Sequence, residues 1–443
     1  MIPFCDPDRC VDAGCVPTVC TGAGLASNDV AFERSTRVVP GGVNSSIRAF
    51  RSVGGRPYVV ARAEGARLWD VEGNEYIDLV QSYGAVILGH AHPAITAAIS
   101  AAAVDGTSYG APTPREMKLA EAVSSRVGSC EQVRFMNSGT EATSTAVRLA
   151  RGYTDRDRVV IFHGNFHGAT DALLAAGGSG VATLGLPGTA GVPAGAVAET
   201  MVVPYNQVPV LDETVACVVV EPVAANMGVV APQPGFLEGL RAECDRVGAL
   251  LVFDEVITGF RLGAGGAQEL LGIRPDLTTF GKVIGGGLPI GAVGGRREIM
   301  ETLSPLGPVF HAGTLAGNPI ATAAGLAALD QLSSEVYELL AERAGRLAAV
   351  LGAACDAAGF PARFPVVGTL VGMVCGEHGE SPVDFEGAKR TDEAAYARFF
   401  HAMLAEGVAM APGAYEAMFV GVAHTDDVID SSGERAHRAL TQG

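Results

Sequence analysis

Apolar positions along the chain fall into two rhythms. Short alternating stretches around Tyr58–Ala61, Arg67–Val71 and Glu75–Leu79, with Gly73-Asn74 as a turn between the last two, predict a small antiparallel β meander. From His92 the period lengthens, and helices are predicted around Ala94–Val104 and Glu116–Val127. Short apolar runs then alternate with Gly turns and helix-length segments: Val133–Met136, Val159–Phe162, Met201–Val203, Cys217–Val220, Ala249–Phe253 and Leu277–Phe280. Val/Ile/Leu-rich runs spaced by helices predict a mainly parallel sheet covered on both faces. Beyond about Ser333, a helix over Val336–Ala354 and short strands over Thr369–Cys375 and Val408–Ala411 predict a second α/β unit.

Composition narrows the function classes. The chain has 443 residues, enough for two to three domains and a substantial core. Its net charge of −17, with no basic run, argues against nucleic acid as a partner. The longest uncharged stretch, Ala172–Ala198, is too rich in glycine, with two prolines besides, to read as a membrane span. The N-terminus has no basic segment leading into an apolar run, so the expected location is the cytoplasm. Cys5, Cys10, Cys15 and Cys20 recur every five residues among Pro7, Gly14 and Pro17, a spacing unlike structural zinc sites. They read as a flexible, oxidisable tail, and the other five cysteines as buried small hydrophobes. No metal site is expected.

Three polar features sit where ligands bind in open parallel sheets, beyond the carboxyl ends of strands. Asn137-Ser138-Gly139-Thr140-Glu141 follows a predicted strand and opens a helix over Ala142–Tyr153. Taken alone it fits an ordinary N-cap with an acidic first turn, or a phosphate cradle. Asp254-Glu255 closes the run Ala249–Phe253 and fits either a solvated strand end or a carboxylate paired with a protonated ring nitrogen or a metal. The third is Lys282. Of 31 basic residues only Lys118, Lys282 and Lys389 are lysines, and Lys282 is the sole charge between Leu277 and Gly295. Apolar surroundings favour the neutral amine, the form that makes an imine with a carbonyl. Schiff-base lysine, carboxylate and phosphate-cradling helix start together describe a pyridoxal 5'-phosphate (PLP) site.

At these residues the sequence resembles the class III, fold-type-I PLP-dependent aminotransferases, and within them the glutamate-1-semialdehyde 2,1-aminomutases. The matching stretches are PGGVNSSIRAF (40–50), ILGHAHP (87–93), GAPT (110–113), VRFMNSGTEAT (133–143) and FHG (166–168). They continue with VEPVAANMG (220–228), GALLVFDEVITGFR (248–261), PDLTTFGKVIGGGLPIGAVGGR (275–296), AGTLAGNP (312–319) and AHT (423–425). The resemblance implies an α/β fold with a large PLP-binding domain, 91–332, built on a mainly parallel seven-stranded sheet. A smaller α/β domain would come from both chain ends, 28–90 and 333–443, after a tail at 1–27. It implies Lys282 as the Schiff-base lysine and proton shuttle, Asp254 at the pyridinium nitrogen, and Ser138, Gly139 and Thr140 at the phosphate. Thr314 would reach the phosphate of a neighbouring subunit's cofactor, which implies a homodimer with shared sites. Asn226 would contact the ring hydroxyl and Phe166 would cover a ring face. Ser45 and Arg48 match the substrate-carboxylate clamp, Ser179 and Glu416 further active-site positions, and 177–195 a lid. His163 and His167 read as structural.

The implied activity is PLP-dependent amino-group transfer, the cofactor alternating with pyridoxamine 5'-phosphate (PMP), on a small amine or aldehyde. In the mutase form it is an intramolecular shift that gives 5-aminolevulinate. Several positions depart from the mutase pattern: Tyr83 and Ala85 replace Trp and Pro, Phe166 replaces Tyr, Ala225 replaces Gly, and Ala316 and Gly413 replace Ser. Those changes surround the substrate, so a second reading is a paralogous aminotransferase or epimerase of a specialised pathway, for example on an amino-sugar. A non-catalytic PLP-binding protein is the remote third reading.

Overall fold

The structure, a computed structural model, describes residues 27–175, 189–376 and 381–441. The cysteine tail and Ser179 lie outside the described residues. Strands β1 (Val60–Glu64), β2 (Arg67–Asp70) and β3 (Glu75–Asp78) form the predicted antiparallel meander. The short strand Val408–Ala409 adds to it in parallel, pairing Val408 with Ile77 and Ala409 with Asp78, so the two halves of the chain share a sheet.

The central sheet comprises β4 (Gln132–Met136), β5 (Arg158–Phe162), β6 (Thr200–Val203), β7 (Val215–Val220), β8 (Leu250–Glu255), β9 (Leu277–Phe280) and β10 (Gly291–Gly295). Its strand order is β4-β10-β9-β8-β7-β5-β6. Six strands run one way, and β10 alone is antiparallel to both its neighbours. Every residue of β7, β8, β9 and β10 is buried, as expected of a sheet covered on both faces. The six predicted apolar runs are six of these strands. The seventh, β10, reads GAVGG and carries almost no strand signal, since glycine has no side chain to pack.

Glycine is required in β10 by close approach. A Cβ at Gly291 would lie 2.1 Å from the Ser138 carbonyl oxygen, and one at Gly295 2.6 Å from that of Asp276. The strand thus wedges between β4 and β9 and presses on the start of the helix Gly139–Thr154. Toward the C-terminus, the predicted strand Thr369–Cys375 divides in two, because Leu370–Val371 and Val374–Cys375 join different sheets. The five cysteines outside the tail are all free and buried. Among the described residues no helix is long and apolar enough to cross a membrane.

Candidate active site

Adjacent parallel strands bring their carboxyl ends to one edge, and β4 and β5 leave β10, β9, β8 and β7 between them. The segments leaving β4, β5, β7, β8 and β9 surround a cavity. Ser138, Gly139, Thr140, Phe166, Asn226, Asp254 and Lys282 all line it. Seven of the residues singled out in the sequence are therefore brought together.

At the β4 end, Ser138 caps the helix Gly139–Thr154: its hydroxyl accepts the Glu141 N–H at 3.2 Å. The cap leaves the helix start open to an anion. The first N–H groups of a helix have no partner inside it and carry the positive end of its dipole, which suits a phosphate. Two glycines let the walls close on this point. A Cβ at Gly168, where φ is +84°, would lie 2.5 Å from Thr140 Oγ1, and one at Gly139 would press on the Val256 side chain at 3.0 Å.

Asp254 lies at the β8 end, 4 % exposed and fully engaged. Its Oδ1 accepts from the Thr279 hydroxyl at 3.1 Å and the Val256 N–H at 3.1 Å. Its Oδ2 accepts from His167 Nδ1 at 2.7 Å. A carboxylate held by three donors is placed to pair with a protonated ring nitrogen. Its neighbour Glu255 points elsewhere and accepts from Thr258, Ala267 and Gln268, so only one acid of the pair belongs to the site. His167, read from sequence as structural, lines the cavity and orients Asp254, while its Nε2 is buried without a hydrogen-bond partner.

Lys282 follows β9 with φ of 48°, a left-handed conformation that non-glycine residues adopt at a cost. Burial pushes its amine below the usual lysine range, against the opposing pull of Asp254, Glu221 and Glu416. Glu221 closes β7, is buried, and went unassigned in the sequence. Burial pushes its carboxyl up to about 7, with Asp254 adding to the rise and His167 opposing it. Phe166 is 39 % exposed, so it forms a cavity wall rather than core.

Other predicted residues lie around this cavity. Arg48 lines a neighbouring cleft with Tyr58 and Tyr83, and Ser45 immediately precedes the short 3-10 turn Ser46–Ala49 that carries it. Glu416 is electrostatically coupled to both Lys282 and Tyr83, and Arg48 to Tyr83. Thr314 is exposed and outside the cavity; the preceding residues Phe310–Gly313 line a second cleft together with Thr140 and Glu141.

Comparison with known proteins agrees with this geometry. The family model described as aminotransferase class-III matches residues 50–431. The chain belongs to the class III aminotransferases. It is 51 % identical over 418 residues to glutamate-1-semialdehyde 2,1-aminomutase 2 of Brevibacillus brevis, covering 92 % of this chain and 97 % of that one. Among solved structures, an omega-transaminase from Sphaerobacter thermophilus matches with a TM-score of 0.83 and 31 % identity, covering 95 % of this chain and 99 % of that one. A glutamate-1-semialdehyde-aminomutase variant from Pseudomonas aeruginosa PAO1 in complex with PMP matches with a TM-score of 0.82 and 26 % identity, over 93 % and 94 %. A class III aminotransferase is a PLP-dependent enzyme of fold type I, and the donor set here fits that cofactor. It offers a helix N-terminus for the phosphate, a buried, hydrogen-bonded carboxylate for the ring nitrogen, an aromatic wall, and a lysine biased toward its neutral form.

Proposed function

We propose that the chain moves an amino group within glutamate 1-semialdehyde, from carbon 2 to carbon 1, giving 5-aminolevulinate. The observation that carries this reading is a cavity combining the Lys282 amine, the Asp254 carboxylate and a helix start, in a chain half identical to a named mutase. Bound PLP supplies an electron-withdrawing ring and a carbon that can carry the amino group between positions. The protein's part is positioning and proton control. Asp254, held by His167, Thr279 and the Val256 N–H, would keep a proton at the ring nitrogen. Lys282 Nζ, pushed by burial toward its neutral form, would be the base that takes the proton from the amine-bearing carbon and the acid that returns one. Ser138, Gly139 and Thr140, which line the cavity, would hold the phosphate, Phe166 would wall a ring face and Asn226 would meet the ring hydroxyl.

Arg48, with Ser45, takes the substrate carboxylate, where a planar guanidinium gives two parallel hydrogen bonds. Glu416, within electrostatic reach of Lys282 and Tyr83, marks the substrate end of the cavity, and Ser179 is assigned to the same end. Thr314 would reach the phosphate of a second subunit's cofactor, which makes the working unit a homodimer; its expected location is the cytoplasm. Residues 28–90 and 333–443 are read as one small domain, a reading supported by the sheet they share.

The test is a single-substrate assay. Purified protein with PLP and glutamate 1-semialdehyde, without any amino donor, is expected to form 5-aminolevulinate. A blank assay in a preparation that still exchanges amino groups between other amines and carbonyls would sink the mutase reading. That outcome would favour a paralogous aminotransferase or epimerase, the reading supported by Phe166 in the cavity wall and Tyr83 beside Arg48.

A further inference from the structure

The mechanism above leaves one buried acid of the cavity unused. Glu221 Oε1 accepts the Phe166 backbone N–H at 2.6 Å and the Asn226 side-chain amide at 2.8 Å. Its Oε2 accepts the Ala225 N–H at 3.0 Å, and its own N–H donates to Asn165 Oδ1 at 2.9 Å. Phe166 follows β5 and Asn226 follows β7, so a single carboxylate ties together segments leaving two neighbouring strands.

We propose that Glu221 is a positioning residue: its ionised carboxylate locks Phe166 and Asn226, the two walls of the cofactor slot, into one frame that receives PLP. The inference rests on the cofactor roles proposed for Phe166 and Asn226, and not on the choice of substrate. Three donors converge on the carboxylate. A neutral acid would turn one oxygen into a donor facing a donor, or leave its O–H to find another acceptor, so the frame matches the charged form. Hydrogen bonds to the charged form favour it, and burial disfavours it.

The charged groups facing Glu221 come from three elements. Asp254 at the end of β8 opposes its ionisation and His167, after β5, assists it. Lys282, after β9, interacts with it electrostatically. Tyr205, beyond β6, donates its hydroxyl to the Glu221 carbonyl oxygen at 3.2 Å and stays neutral through burial. With the carboxyl pushed up to about 7, the frame forms as pH rises through neutrality. Glutamine at 221 cannot reproduce it. Whichever way its amide is turned, an NH2 group meets at least one of the donors from Phe166, Asn226 or Ala225.

The experiment measures PLP dissociation by equilibrium titration of the apoenzyme between pH 6 and 8, alongside the absorption spectrum of the holoenzyme. Glu221→Gln is expected to weaken PLP about tenfold at pH 8, where about 1.4 kcal/mol of hydrogen bonding is lost. It should also flatten the wild type's tightening between pH 6 and 8, and Glu221→Asp should restore part of that pH dependence. Unchanged affinity and an unchanged pH profile in Glu221→Gln overturn the proposal. Phe166→Ala and Asn226→Ala serve as the reference pair. If they bind PLP as the wild type does, the assignment of the slot walls has failed. If they bind weakly while Glu221→Gln does not, only the Glu221 frame has failed. Asn226→Ala keeps the idea testable should Glu221→Gln not fold: removing a donor from Oε1 raises the pH midpoint of PLP binding, and an unmoved midpoint overturns it.

Discussion

Lys282 shows how little room single residues have in this site. In a chain of 31 basic residues with only three lysines, arginine could supply the positive charge almost anywhere. It cannot supply a neutral amine, because a guanidinium keeps its proton even when buried. Lys282→Arg is therefore expected to lower turnover by at least about 10^3-fold and to let PLP be removed by gel filtration. Turnover within tenfold of wild type would refute the assignment. Both Lys282 and Asp254 were legible from sequence because each is a charge at the end of an apolar run. Glu221 ends such a run too, yet its partners come from segments 5 and about 55 residues away. Sequence shows which residue ends a strand but not which strand lies beside it, and for the same reason the 2.7 Å bond by which His167 orients Asp254 is not legible in the sequence.

At the scale of elements, the strand that sequence patterning missed bears directly on the cofactor site. β10 is three-fifths glycine, so it has neither the alternation nor the branched side chains that mark a strand. Its register is set by backbone proximity instead: Gly291 pairs with Met136, and its missing Cβ leaves space for the Ser138 carbonyl. Gly291→Ala forces a methyl group to within 2.1 Å of that oxygen and must displace the Ser138 cap. A loss of about 1–3 kcal/mol by denaturant titration, together with weaker PLP binding, is expected. Gly345→Ala is the contrasting case. Gly345 is exposed within the helix Ser334–Ala358, and a Cβ there meets nothing within 4 Å. That substitution should stabilise by roughly 0.5–1 kcal/mol without touching PLP affinity. Equal effects of the two substitutions would show that close approach is not why β10 is glycine.

At the scale of the whole molecule, the N-terminal meander and C-terminal chain share a sheet, and one histidine reports on that junction. His424 is completely buried; its Nδ1 accepts the Gly421 N–H at 3.0 Å, so the proton sits on Nε2 and is donated to the Asp78 carbonyl oxygen at 3.0 Å. Asp78 closes β3, the strand that also pairs with Val408–Ala409, so the histidine fastens C-terminal chain to the N-terminal meander. Protonating Nδ1 would set a donor against the Gly421 N–H. Burial is the largest cause of the lowered value, to about 4, and Arg343 adds to it against the pull of Asp78. In the unfolded chain the same imidazole titrates near 6.5. Between these values the unfolded state binds more protons than the native state, so stability is intact above 6.5 and falls as pH drops toward 4. The full loss is roughly 3 kcal/mol at about 1.4 kcal/mol per pKa unit. The raised carboxyl of Glu221 works in the opposite direction over about 4.5 to 7, but it is present in wild type and variant alike and cancels in their difference. Melting temperatures of wild type and His424→Asn should therefore converge on acidification from pH 7 to 4.5, the wild type falling more steeply. Parallel curves would mean that the junction does not hold its histidine neutral, and that some other contact joins the two ends of the chain.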